Sequence, residues 1–210
     1  SLSSIPGSGI NLNGAPYARI DSVTMTDIGE SSLHYGIEIA GTSPEVIITN
    51  SRITMSLSTP GPAISASSGG DRMVIQGNIA STSYDHAIEL SSGADNNIVT
   101  GNVVSAAGNA DAGIYIGADN NTVTGNTSYR SYYGIQVNGQ NNVISSNSIS
   151  DGAEAGIYVP GGDYNQITGN TIENQGAGIF TNLGTYNNIT NNVIRNITNA
   201  SDDSILIANE

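Results

Sequence analysis

The residues best equipped for chemistry lie close together in the chain: Asp85, His86 and Glu89, with Asp111 one repeat later in the position that matches Asp85. A paired acid and base can cleave a glycosidic bond, and a histidine or tyrosine can move a proton from a sugar carbon. These four are the candidate catalytic residues. His34, Tyr35 and Glu38 occupy matching positions two repeats earlier, so both histidines of the chain fall at the start of the same kind of strand. A second pattern is a column of acids, Asp71, Asp95, Asp119, Gln140 and Asp163, each preceded by Gly or Ala. Stacked carboxylates suit Ca²⁺, which takes oxygen ligands, so Asp71, Asp95 and Asp119 are candidate metal ligands. The competing expectation is that each Asp caps its own backbone turn. Arg52, Arg72, Arg130 and Arg195 fall in four different columns and do not converge on the His86 cluster. Without a cation to neutralise an acidic sugar, the pattern weighs against an enzyme.

What must position these residues is a repeat. The motif Ile/Val-x-x-Asn recurs with Val23, Ile48, Ile75, Val99, Val123, Ile144, Ile167 and Ile189 in its first column. Three residues later stand Thr26, Ser51, Asn78, Asn102, Asn126, Asn147, Asn170 and Asn192, at intervals of 21–27 residues. A constant motif with variable spacing means loops of different size on one fixed cross-section. Each copy then carries a second motif, small-Ile-x-aliphatic, from Gly36-Ile37-Glu38-Ile39 through Gly178-Ile179-Phe180-Thr181 to Ser204-Ile205-Leu206-Ile207. This alternation is strand patterning with the apolar positions inward. A short all-strand repeat means a solenoid. Seven Leu against 28 Ile exclude a leucine-rich repeat, and no hexapeptide period supports a left-handed coil. The expectation is therefore an all-β, single-domain, right-handed parallel β-helix of about eight coils over residues 17–210, with residues 1–16 as a lead-in. A further column, Asn97, Asn121, Asn142, Asn165 and Asn187, fits stacked amides, and Asn tolerates the left-handed backbone of a tight turn.

Units such as Asn165-Gln166-Ile167-Thr168-Gly169-Asn170-Thr171-Ile172, followed by Gly178-Ile179, resemble the repeats of the pectate-lyase-like β-helix superfamily. That group includes sugar-hydrolase and carbohydrate-binding modules, alginate epimerases, phage tailspikes and archaeal surface proteins. The resemblance spans roughly residues 17–207 and implies the fold; the shared motif is the coil itself. Tyr84-Asp85-His86 is similar to the Asp-Pro-His core of the epimerases, with the proline absent.

Charge and composition narrow the partners. Five Arg, no Lys and 18 acidic residues give a net charge of −13, which excludes non-specific nucleic-acid binding. No run is long enough to insert in a membrane. Zero Cys excludes disulfides and thiolate chemistry. SLSSIPGSG has no charged-then-apolar leader pattern, so the sequence is expected to be processed or internal.

The outward column of the second strand runs Glu38, Ser65, Glu89, Tyr115, Gln136, Tyr158, Phe180, Leu206, with Tyr132 and Tyr133 beside it. Tyr115, Tyr132, Tyr133, Tyr158 and Phe180 are thus candidates for stacking on sugar rings or packing against another subunit. After Ile205 and Ile207 only Ala208, Asn209 and Glu210 remain, so the last coil is expected to stack on another copy. Together these features point to a non-catalytic extracellular surface or fibre component, cell-surface or virion-borne, that self-assembles and contacts glycans. The alternatives are a polysaccharide lyase, epimerase or depolymerase, with no cofactor unless Ca²⁺, and a plain carbohydrate-binding module.

Overall fold

In a computed structural model, residues 1–28, 34–55, 60–108 and 111–198 are described, together with the backbone of Ile205–Ala208. Every described element is a strand, and every pairing between strands is parallel. The chain winds through three sheets of nine, nine and eight strands, giving a solenoid of about eight turns. Sheet A runs from Leu2–Ile5 to Val193–Arg195, sheet B from Ile10–Asn13 to Ile205–Ala208, and sheet C from Arg19–Asp21 to Asn188–Thr190.

The apolar columns pair in register and fill the interior. Ile37, Ile64, Ile88, Ile114, Ile135, Ile157 and Ile179 stack along sheet B, all fully buried. Ile48, Ile75, Val99, Val123, Ile144 and Ile167 stack along sheet C, also fully buried. Each such side chain contributes about 1.5–3 kcal/mol relative to exposure. The small residue before each sheet-B isoleucine is a packing requirement: a Cβ on Gly134 would lie 2.3 Å from the Ile149 side chain and 2.5 Å from the Gly156 carbonyl.

The first copy of the repeat lies three residues earlier than the sequence motif suggests. Ile20, not Val23, pairs with Ile48, and Thr26 pairs with Thr54 rather than standing beside Ser51. Val23 itself fills the polar column, its N–H donating to Ser51 Oγ at 3.1 Å. Val23-x-x-Thr26 imitates the motif, whereas the true corner has no amide. Residues 1–16 supply Leu2–Ile5 and Ile10–Asn13, which pair with Thr24–Ile28 and Ile37–Ala40.

Both asparagine columns are buried hydrogen-bond ladders. Asn102 Nδ2 donates to the Ile75 carbonyl at 2.9 Å and to Asn126 Oδ1 at 3.0 Å, while Asn102 N–H donates to that same oxygen at 2.9 Å. Asn126, Asn147 and Asn170 repeat this pattern. In the second column the N–H of Asn97, Asn121, Asn142 and Asn165 donates to the Oδ1 of the next coil's asparagine. The left-handed residue is not the ladder asparagine, as the sequence suggested, but its predecessor: Gly77, Gly101 and Gly125 before one column, Asn96, Asn120 and Asn141 before the other. The turn puts its strain on an exposed residue and leaves the following side chain to point inward.

The final strand motif is only partly visible. Ser204 lies outside the described residues, and for Ile205–Ile207 only the backbone pairing with Ile179–Thr181 is given. The expected end-to-end contact through Ile205 and Ile207, and the cover from Asn209 and Glu210, fall on residues whose placement is not described.

Candidate functional site

Sheet B brings Asp85, His86 and Asp111 together. The three lie on the turns that lead into Ile88–Leu90 and Ala112–Ile116, one coil apart, and one ligand-type atom from each falls within 4.8 Å of the others. All three are half-buried. The Ala112 N–H donates to His86 Nδ1 at 2.9 Å, so in the neutral ring the proton sits on Nε2. The imidazole stacks on Tyr115, with centroids 4.7 Å apart and planes 8° apart. Asp85 Oδ1 accepts the His86 N–H at 2.7 Å. Burial pushes both carboxyls above their ordinary range, and in each case the neighbouring His86 pulls the other way.

Asp111 faces a groove of about 410 Å³ lined also by Ser83, Tyr84, Ala107 and Gly108. Gly108 is needed here because a Cβ would come within 2.0 Å of the Asp111 carboxylate. The same Ala107 and Gly108 border a second hollow of about 290 Å³, walled by Arg130, Ser131, Tyr132, Asp151, Gly152 and Ala153. Arg130 lines this second hollow and not the one that holds Asp111. Gln175, buried beneath Gly152, has no partner for either amide atom among the described residues.

Glu89, the fourth expected member, is near enough to push up the Asp85 carboxyl. Its carboxylate is held by Ser65 Oγ at 3.1 Å and Ser91 Oγ at 2.7 Å. Tyr35 was not among the chosen residues, yet its phenol is pushed up by burial and by Glu38, Glu89 and Asp85. It stays protonated at neutral pH. The signal for it was present: Tyr35 shares the strand entrance with His34, and the intervening Gly61 and Pro62 carry little bulk.

One oxygen of each acid in the column holds the backbone of the following coil. Asp71 Oδ1 accepts the Asp95 N–H, Asp95 Oδ1 the Asp119 N–H, and Asp119 Oδ1 the Gln140 N–H, at 2.7–3.0 Å. These acids cap the next coil rather than their own turn, and among the described residues they form no cation-sized cluster. The aromatic residues of sheet B also bond to each other. Tyr133 stacks on Tyr158 at 4.6 Å and Tyr158 on Phe180 at 5.2 Å, with Tyr132 edge-on to Tyr133 and bonded to Glu154. Tyr133 is pushed up to about 12 by burial and its neighbours Tyr158, Tyr132 and Glu154. Ring faces turned on one another leave mainly edges for any ligand.

Residues 1–127 match the family described as right handed beta helix region. The chain belongs to that family, which fixes the hand of the solenoid. Residues 109–209 match the family described as periplasmic copper-binding protein, NosD. Among solved structures it is similar to DFA-IIIase from Arthrobacter chlorophenolicus A6 in complex with GF2, at 14% identity and a TM-score of 0.67, covering 95% of this chain and 58% of that one. The C387A mutant of the same enzyme in complex with DFA-III gives 15% identity and a TM-score of 0.53, covering 90% and 59%. This chain thus spans under two thirds of those proteins, and at such identity the likeness concerns the fold. No curated protein sequence matches.

Copper does not fit the residues present. The NosD-like stretch 109–209 contains no His, Cys or Met, the ligand types copper favours. In the first half, His86 spends Nδ1 on the Ala112 N–H, so Nε2 carries a proton and has no lone pair for a metal.

Proposed function

We propose that the chain acts on a carbohydrate outside the cytoplasm, using Asp85, His86 and Asp111 as an acid–base group in the groove beside Tyr84. One observation carries this reading: a histidine of fixed tautomer lies within 4.8 Å of two carboxyls that burial moves toward protonation, and one of them, Asp111, lines an open groove. Displaced carboxyls gathered in a cleft are a mark of functional sites. One carboxyl of the pair gives a proton to the leaving oxygen while the other takes one from the water that forms the new bond to the sugar carbon, and the His86 Nε2–H can hydrogen-bond a sugar hydroxyl. A second hollow, bordered by the same Ala107 and Gly108 and by Arg130, Tyr132 and Gly152, offers room for a further sugar ring. Export is supported by the likeness to a periplasmic family.

The surface-component reading drew on open ends and an aromatic stripe. The side chains of the last coil fall on residues that are not described, and the rings of the stripe stack largely on one another, so the groove is the better guide. Incubation with a panel of polysaccharides, followed by measurement of released chain ends, tests the proposal. The wild type should cleave or rearrange one class, and His86→Ala should lower the rate about 100-fold or more with the fold intact. Undiminished turnover in His86→Ala removes the site. Glycan binding without any cleavage reduces the protein to a binding module.

A further inference from the structure

Over six successive coils one side of the rod is free of charge. Residues 74–79, 98–103, 122–127, 143–148, 166–171 and 188–193 include no Asp, Glu, Arg or His, in a chain of net charge −13. They form the last six of sheet C's eight strands, the corner after each and the first position of sheet A, in register. The charges of Arg19, Asp21 and Arg52 lie on the two coils before them. Ile79, Ile98, Val103 and Val193, which are 36–52% exposed, all sit on this strip. Between them runs a column of Thr100, Thr124, Ser145, Thr168 and Thr190. Its hydroxyls bond along the column: Ser145 Oγ to Thr124 Oγ1 at 3.1 Å and Thr190 Oγ1 to Thr168 Oγ1 at 3.2 Å. Covering them strands fewer hydrogen bonds than covering free hydroxyls. At the corner, Gly101 and Gly125 have open space where a side chain would project, so the surface is low and smooth.

We infer that this strip is the face through which two copies of the chain associate side by side. Charge selects the occupant. Two molecules of net charge −13 repel on most approaches, and here they can meet without bringing carboxylates into the contact. The bordering acids are already engaged, Asp95 and Asp119 by backbone N–H groups and Glu173 by Arg195 at 2.7 Å. With strands about 4.8 Å apart and residues about 3.3 Å apart, the strip covers roughly 600 Å². Two such faces bury about 1,200 Å², the lower edge of specific interfaces, so a dissociation constant of about 1–100 µM is expected. Sheet against sheet around a two-fold axis gives a closed dimer rather than a filament.

Sedimentation equilibrium with small-angle scattering, up to about 200 µM protein, tests this range. A dimer no longer than the monomer is expected. The double variant Ile98→Glu, Thr124→Glu should raise the dissociation constant at least about tenfold by placing like charges across the contact. Circular dichroism and thermal unfolding of that variant should match the wild type; if it misfolds, Thr168→Glu alone serves. A monomer throughout, a dimer of doubled length, or a dimer indifferent to the glutamates overturns the inference. None of these outcomes bears on the glycan groove.

Discussion

Replacing Asn126 with Ala should lower stability by about 2–4 kcal/mol, and replacing it with Asp should cost more at neutral pH. In Asn126→Ala the buried Asn102 N–H loses its acceptor outright, and the Val99 carbonyl and Asn147 Oδ1 lose a donor. Aspartate is closer in shape but wrong in chemistry. One of its oxygens would still accept from Asn102, while the other would face the Val99 carbonyl and Asn147 Oδ1, both acceptors. The aspartate can donate there only when protonated, so its folded-state pKa must rise above the unfolded value. Its stability should therefore recover as pH falls and deteriorate as pH rises through the folded pKa. Denaturant midpoints for the two variants at pH 7 and at about pH 4.5 check both signs. Ladder asparagines that tolerate Asp better than Ala would mean the amide donors do not matter.

Asp111→Asn should separate stability from activity. Burial holds the Asp111 carboxyl above its ordinary value, so the folded protein binds this proton more tightly than the unfolded chain does. That contribution is fully present below the unfolded pKa and is lost as pH rises through the folded one. At pH 7 the ionised group is thus a net cost, and Asp111→Asn should melt at or above the wild-type temperature. The difference should shrink as pH falls and the wild-type carboxyl takes up its proton. The same variant should lose glycan turnover by a factor of about 100 or more. A variant that is less stable at pH 7 and still active would assign Asp111 a structural role.

How much was legible in the sequence follows from what sets each feature. The columns of Ile48, Ile75 and Val99 were readable because inward positions tolerate few residue types and recur at fixed offsets from the corner asparagine. The first coil was misaligned because Val23-x-x-Thr26 copies that offset by chance while Ile20 lacks an amide after it. Asp85 and Asp111 were brought together correctly, since equivalent positions on adjacent coils must be neighbours. That Ser65 and Ser91 donate to Glu89 was not legible, because no pattern encodes the rotamers of their hydroxyls. The acid column illustrates a further limit. Spacing located Asp71, Asp95 and Asp119, but only coordinates reveal that their carboxylates are occupied by the backbone of the next coil.

The central claim is that His86, held as the Nε2–H tautomer between Asp85 and Asp111, meets a sugar. Long-range proton–nitrogen NMR of the His86 ring, recorded while an oligosaccharide active in the polysaccharide screen is titrated in, reads this directly. The expected spectrum has a protonated Nε2 and an unprotonated Nδ1 at neutral pH, with the Nε2 signal moving in step with the Tyr84 and Gly108 amides as ligand is added. A proton on Nδ1, or glycan binding that leaves His86 unmoved, would contradict the claim.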